Sequence, residues 1–425
     1  MSERYRFARL AIVLLFVMML GGMLWLSLPG QARQVAGAGV AEGALGKEED
    51  ASFSSLLFTS EMTHHTYLPL AFKGYAIPNP RMGFCAVSGP IDQYTDISQL
   101  RGGWYVKFGV MNQPPRPSGT EFVQMVRLHQ LTTCWPERLR DRGTCPYVTP
   151  FTYTLTSPQT RGEIVAIAEA NPGLLWLIGN EMDRYDWGGT NPYNPGMVSP
   201  SGGQDEMLPE LYAQAYHDLY NVIKGADPTA QVAIGGIIQA TPARLEYLTK
   251  IWDEYGARYG GNMPVDIWNV HNFIFKEKCD DYGADVPPGY SGGCYGTIYP
   301  DEKHNDMQIF DQQIRAFRQW MKARGQQNKP LIVSEYGIVY YHAGMEDLNL
   351  VRSFMLDTFD YFMNTKDHSL GYPSDEYRLV QRWAWYSLDD DSINKYAYLL
   401  APDTGKLTPL GDAFAGYAVS HMEAR

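Results

Sequence analysis

Eight short apolar runs, separated in the later part of the chain by stretches of helical length and period, constrain this sequence more than any other feature. The runs span 82–87, 104–110, 122–129, 174–179, 232–238, 265–270, 330–333 and 380–388. The helical stretches span 161–170, 207–223, 242–259, 307–324, 347–364 and 410–420. Strand followed by helix, repeated, predicts parallel strands joined by crossover helices, and eight such strands close into an α/β (β/α)8 TIM barrel. The early links are less regular. Only 96–100 can serve as a first helix, 111–120 is a Pro-rich loop, and 130–155 is long and irregular. An open doubly wound sheet is the competing architecture. It calls for a Gly-rich phosphate turn after an early strand, and neither of the first two runs is followed by one. Gly235-Gly236 falls inside the fifth run, where glycine relieves crowding inside a barrel.

The N-terminus differs from the rest. Arg4, Arg6 and Arg9 precede an apolar run at 10–28, and Gly30-Gln31-Ala32 supplies small residues of the kind a signal peptidase needs. Residues 1–32 are expected to be a signal peptide or a membrane anchor, 33–75 a Gly/Ala/Ser/Glu-rich linker, and 76–425 the catalytic domain. The protein is therefore expected to be extracellular, secreted or anchored to the outer face of the cell membrane through 10–28. In an oxidising compartment, five cysteines are read as disulfides before metal ligands. Local pairing predicts Cys134–Cys145 and Cys279–Cys294 and leaves Cys85 over. No cysteine or histidine spacing fits a metal, so neither a metal nor a cofactor is expected. A net charge of -12 argues against nucleic acid or an anionic surface as partner and suits a neutral substrate.

In such a barrel the chemistry sits at the C-terminal ends of the strands. There the sequence places Lys107, Arg127 and His129, Asn180 and Glu181, Gln239, His271 and Asn272, Glu335, then Trp385 and Asp389–Asp391. The strongest pattern is the run at 174–179 ending in Asn180-Glu181, repeated where 330–333 runs through Ser334 into Glu335-Tyr336-Gly337. A single glutamate after a strand usually caps a helix or pairs with a cation. Two of them on facing strands of one barrel are the parts needed to cleave a glycosidic bond: one acid protonates the leaving oxygen while the other carboxylate attacks the anomeric carbon or activates water.

These residues carry a resemblance. Asn-Glu ending the fourth strand, Glu ending the seventh, His ending the sixth and Trp in the eighth resemble clan A of the glycoside hydrolases, retaining (β/α)8 enzymes, over about 82–422. The resemblance implies Glu181 as acid/base, Glu335 as nucleophile, Asn180 as donor to the sugar 2-hydroxyl and Trp385 as the floor of the subsite before the cleaved bond. His271, Asn272, His129 and Arg127 are the further candidates for substrate contact. The chain departs from family 5 at His271-Asn272-Phe273, where that family has His-x-Tyr. Tyr295 or Tyr299 is left to supply the missing phenol, and families 5, 39 and 128 stay open. Glu181 is expected to titrate above Glu335, and the two carboxyls to lie about 5 Å apart. Loops 111–120, 130–154, 185–209 and 276–305 are long enough to wall a cleft, which favours a β-linked glucan or mannan; Trp135, Tyr185 and Trp187 are candidates for stacking on sugar rings. A monomer is expected. The alternatives are a carbohydrate-binding barrel without turnover, and a transglycosylase or hydrolase of another bond using the same pair.

Overall fold

The computed structural model of the chain describes residues 77–186, 189–191, 194–199, 203–339, 347–392 and 394–422. Residues 1–32, expected to direct export, residues 33–75, expected to be a linker, and Trp187 lie outside the described residues. Eight parallel strands make the barrel: β1 (Asn79–Cys85), β2 (Gly102–Val106), β3 (Glu121–Gln130), β5 (Leu175–Asn180), β8 (Gln231–Gly236), β9 (Trp268–His271), β10 (Leu331–Tyr336) and β11 (Arg382–Trp385). Each pairs with its neighbours in that order, β11 returns to β1, and β8 meets β9 through the isolated parallel bridges Ala233–Ile267 and Ile237–Val270. The ring is closed, as the alternation predicts.

Helices α1 (Arg161–Ala170), α2 (Pro209–Ala226), α3 (Pro242–Tyr259), α4 (Met307–Ala323), α5 (Leu348–Asn364) and α6 (Pro409–Ser420) follow the last six barrel strands. Their starts are written locally. Thr160 and Glu163 form a reciprocal capping box, Asp306 and Asp347 cap α4 and α5, and α2, α3 and α6 each have proline in the first turn. The first two crossovers contain 3₁₀ turns instead, at Ile91–Gln93, Ile97–Gln99 and Pro117–Gly119, so the helix expected at 96–100 is a single tight turn. Two elements escaped the sequence reading. β4 (Tyr153–Ser157) lies antiparallel on β3, and β6 (Gly189–Asn191) pairs with β7 (Asn194–Ser199) as a hairpin after β5.

Alternation along the strands divides the core in two. Val123 and Met125, Leu175 and Leu177, Ala233, Ile332 and Ala384 fill the barrel interior. Phe122 and Val126, Trp176 and Ile178, Val270, Val333, Trp383 and Trp385 pack outward against the helices. This phase decides which strand-end side chains reach the mouth.

Candidate active site

On β5 the inward phase of Leu175 and Leu177 continues to Glu181, which follows the strand. Glu181 sits at φ 48°, a left-handed conformation that a non-glycine residue rarely holds, and Gly179 two residues earlier is at φ 91°. Such strain costs on the order of 1–3 kcal/mol and collects at functional positions. Glu335 reaches the mouth by another device. The register of β10 slips by one residue against both neighbours: Val333 and Glu335 face Val270 and His271, while Val333 and Tyr336 face Trp383 and Trp385. The extra residue is a bulge that turns Glu335 inward, where strict alternation from Ile332 would turn it out. On β9, Asn269 and His271 point in by ordinary phase.

The three side chains meet. His271 Nδ1 lies 3.3 Å from Glu181 Oε1 and its Nε2 3.9 Å from Glu335 Oε2. One oxygen of each acid and one imidazole nitrogen lie within 4.8 Å of one another. Both acids are buried, with 3% and 9% of their surface exposed. Their surroundings differ. Glu181 Oε2 accepts from Arg184 at 2.8 Å and from Gln204 at 3.2 Å. No described side chain hydrogen-bonds the Glu335 carboxylate. Burial works to raise Glu181, but the Arg184 charge and His271 outweigh it and hold this carboxyl well below its ordinary range. For Glu335 burial dominates, opposed by His271 and reinforced by the Glu181 charge, and pushes it up to about 7. Burial opposes ionisation of His271, but the charges of Glu335 and Glu181 raise it. The expected order, Glu181 above Glu335, is therefore reversed, because the guanidinium beside Glu181 cannot be read from the chain's order of residues.

Trp385 needs correction as well. Two residues beyond the outward Trp383, it points to the helices, is 0% exposed, packs on Tyr336 and Phe354, and donates its indole N–H to Ala397 O at 2.8 Å. It offers no face to a sugar. Tyr386, one residue on and in phase with the inward Ala384, is the half-buried aromatic at that strand end. Its hydroxyl donates to Asp390 at 2.8 Å, and burial, then the charges of Asp390 and Glu335, push the phenol up. Tyr386 is thus the phenol beside Glu335. Tyr295 is 62% exposed, and Tyr299 faces Gln313 and Glu277.

The remaining candidates are mostly tied into the frame. Arg127 pairs with Asp205 at 2.8 Å, and Asp205 also accepts the Asn180 backbone N–H. The Asn180 amide donates to Gly203 O, and its Oδ1 is buried without a partner among the described residues. Asn272 turns toward α4 and donates to Phe310 O at 3.3 Å. His129 lies against Asp186 at 2.6 Å and packs on the half-buried ring of Trp135. Lys107 donates to the carbonyls of Val87 and Gly89, Asp389 caps the same turn, and Gln239 braces Phe275 and Glu277.

Among the described residues, two clusters have donor atoms close enough for a cation: Glu181, His271 and Glu335, and His129, Asp186 and Glu206. At the first, Arg184 and Gln204 already occupy Glu181 Oε2, and His271 lies against Oε1. At the second, Arg142 and Tyr147 already hold both oxygens of Glu206. The donors already present suit an acid pair and an ion pair.

A barrel whose mouth holds two buried glutamates bridged by histidine is the class that fold and site define together. No family model matches the chain, and no curated protein matches it. Among solved structures it is similar to a GH128 (subgroup II) endo-β-1,3-glucanase from Pseudomonas viridiflava (15% identity, 80% of this chain and 98% of that one, TM-score 0.47). It is also similar to a family 39 glycoside hydrolase from Bacteroides cellulosilyticus (12% identity, 81% and 64%, TM-score 0.42). A third is an endoglucanase from Thermotoga maritima (13% identity, 80% and 97%, TM-score 0.38). At these distances the likenesses assign no activity, and the site's own geometry has to carry one.

Proposed function

We propose that this chain is a retaining glycoside hydrolase of the clan A type, exported or held at the outer membrane face through 10–28, that cleaves a β-linked polysaccharide. One observation carries the reading: oxygens of Glu181 and Glu335 lie within 4.8 Å of each other across a barrel mouth, with His271 between them. A retaining pair is about 5–5.5 Å apart, whereas an inverting pair needs about 6.5–9.5 Å to admit a water. Glu181 protonates the glycosidic oxygen as it leaves, Glu335 attacks the anomeric carbon, and Glu181 then takes a proton from the water that releases the sugar. Tyr386 lines the subsite where Trp385 was expected.

The test uses a panel of soluble polysaccharides with products sized by chromatography. Glu181→Gln is expected to lower kcat by about 10²–10⁴-fold, and Glu335→Gln by at least as much. Proton NMR of the earliest product is expected to show the β anomer. An α anomer first, or full turnover in Glu335→Gln, refutes the assignment. Folded protein that binds a polysaccharide without cleaving it would establish the binding-barrel alternative.

A further inference from the structure

We propose that Arg184 is a positioning residue that locks Glu181 in its anionic form until substrate arrives, and that a bound saccharide must draw the guanidinium off Glu181 before that carboxyl can protonate a leaving oxygen. The inference rests on the retaining-pair reading above. Arg184 stands three residues after Glu181, in the turn that leaves β5, and is 6% exposed. One terminal nitrogen donates to Glu181 Oε2 at 2.8 Å, and the other donates to Gly283 O at 2.7 Å, on the loop between β9 and α4. With Gln204 on the same oxygen and His271 on the other, Glu181 is surrounded by donors. That is the environment of a carboxylate, and a general acid has to hold a proton.

The other charged groups around the pair do not supply this asymmetry. Glu181 also faces Asp183 and Arg127, but Asp183 is bound to Arg244 and Arg127 to Asp205. Glu335 faces His271, Glu181, Arg184 and Arg127 from a distance, and its charge is felt by the Cys85 thiol and the Tyr386 phenol. With these donors on Glu181, the pair's shared proton rests on Glu335. Catalysis needs it on Glu181, with Glu335 free to attack. The conversion moves one proton from one carboxyl to the other, and the pair's net charge does not change. His271 spans the route, with one nitrogen toward each acid. Moving Arg184 away removes the cation that opposes this transfer.

The test starts with the substrate-free full-length protein. Infrared difference spectra near pH 6 are expected to show a protonated carboxyl band that Glu335→Gln abolishes and Glu181→Gln leaves in place. In an Arg184→Met background, Glu181 gains a share of the proton, so Glu181→Gln now diminishes the band. The titration midpoint also moves up by about 1–3 pH units, the effect of removing an adjacent opposite charge. The pH profile of kcat/KM on a soluble β-glucan moves in the same direction, because the singly protonated pair persists to higher pH. Arg184→Lys keeps the charge and stays near wild type. Arg184→Gln carries the same expectation as Arg184→Met, should that variant fold poorly by circular dichroism. If the band keeps its owner and midpoint without Arg184, and Glu335→Gln is inactive, the role of Arg184 is refuted while the acid pair stands. Full turnover in Glu335→Gln refutes the pair reading and, with it, this inference.

Discussion

At the scale of single residues, the site depends on clearances too small to read from a sequence. Gly236 on β8 lies against the imidazole of His271: a Cβ there would fall 2.2 Å from Cδ2 and 2.4 Å from Nε2. Gly236→Ala must therefore push His271 away from the acids. We expect it to cost about 1–3 kcal/mol of stability and about a hundredfold in kcat, the scale of a misplacement near 1 Å. Gly235→Ala would instead meet the backbone oxygen of Gly179 at 2.7 Å, so it should lower the melting temperature before it lowers the specific activity of the folded fraction. The pair Gly235-Gly236 was legible as relief of crowding, but not as clearance for a particular ring. Glu181 and Glu335 were legible because each ends an apolar run. Arg184 was not, since a charged residue in a turn shows its partner only once the turn is folded.

At the scale of elements, periodicity explains both what could be read and what could not. The expected bounds of α1 and α3 match the observed helices, because their apolar faces repeat cleanly and Thr160 and Pro242 mark their starts. Trp385 was misread because strand position was used without strand phase. The outward Trp383 already places it on the outer face, and Tyr386 was recoverable by counting in twos. The β10 bulge was not recoverable, since an extra residue shows only in the pairing register. β4 carries alternating Tyr153, Thr154, Leu155 and Thr156, but it adjoins the long irregular loop and was absorbed into it. The turn after β5 has a buried support that also escaped notice. Arg244 of α3, fully buried, bonds Asp183 at 3.0 Å, Glu277 at 3.1 Å and the carbonyls of Asp183, Ala284 and Asp285. Arg244→Met leaves two buried carboxylates without their cation and should destabilise the fold by about 3–5 kcal/mol, measured as a loss in thermal or urea midpoint.

At the scale of the whole molecule, the cysteines divide. Cys134 and Cys145 form a disulfide with Cα atoms 5.5 Å apart, as local pairing predicts. Cys279 and Cys294 are separate thiols, contrary to expectation: Cys279 N–H donates to Cys294 O at 3.1 Å across a loop hairpin, but the sulfurs are not bonded. Cys85 is buried in the barrel, its thiol donating to Ser334 O behind the bulge. Among the described residues no helix is long and apolar enough to cross a membrane. The way the ring closes has its own consequence. Seven of its eight seams are laddered, while β8 and β9 meet through two isolated bridges. That seam is the least regular of the eight, and His271 stands on it, its amide bonded across to Ile237 O at 2.8 Å. In native-state hydrogen exchange, the His271 amide should open at lower free energy than that of Leu177 in the laddered β5. Warming would then separate the imidazole from its two acids while most of the barrel is still intact, and activity should fade several degrees before the cooperative melt.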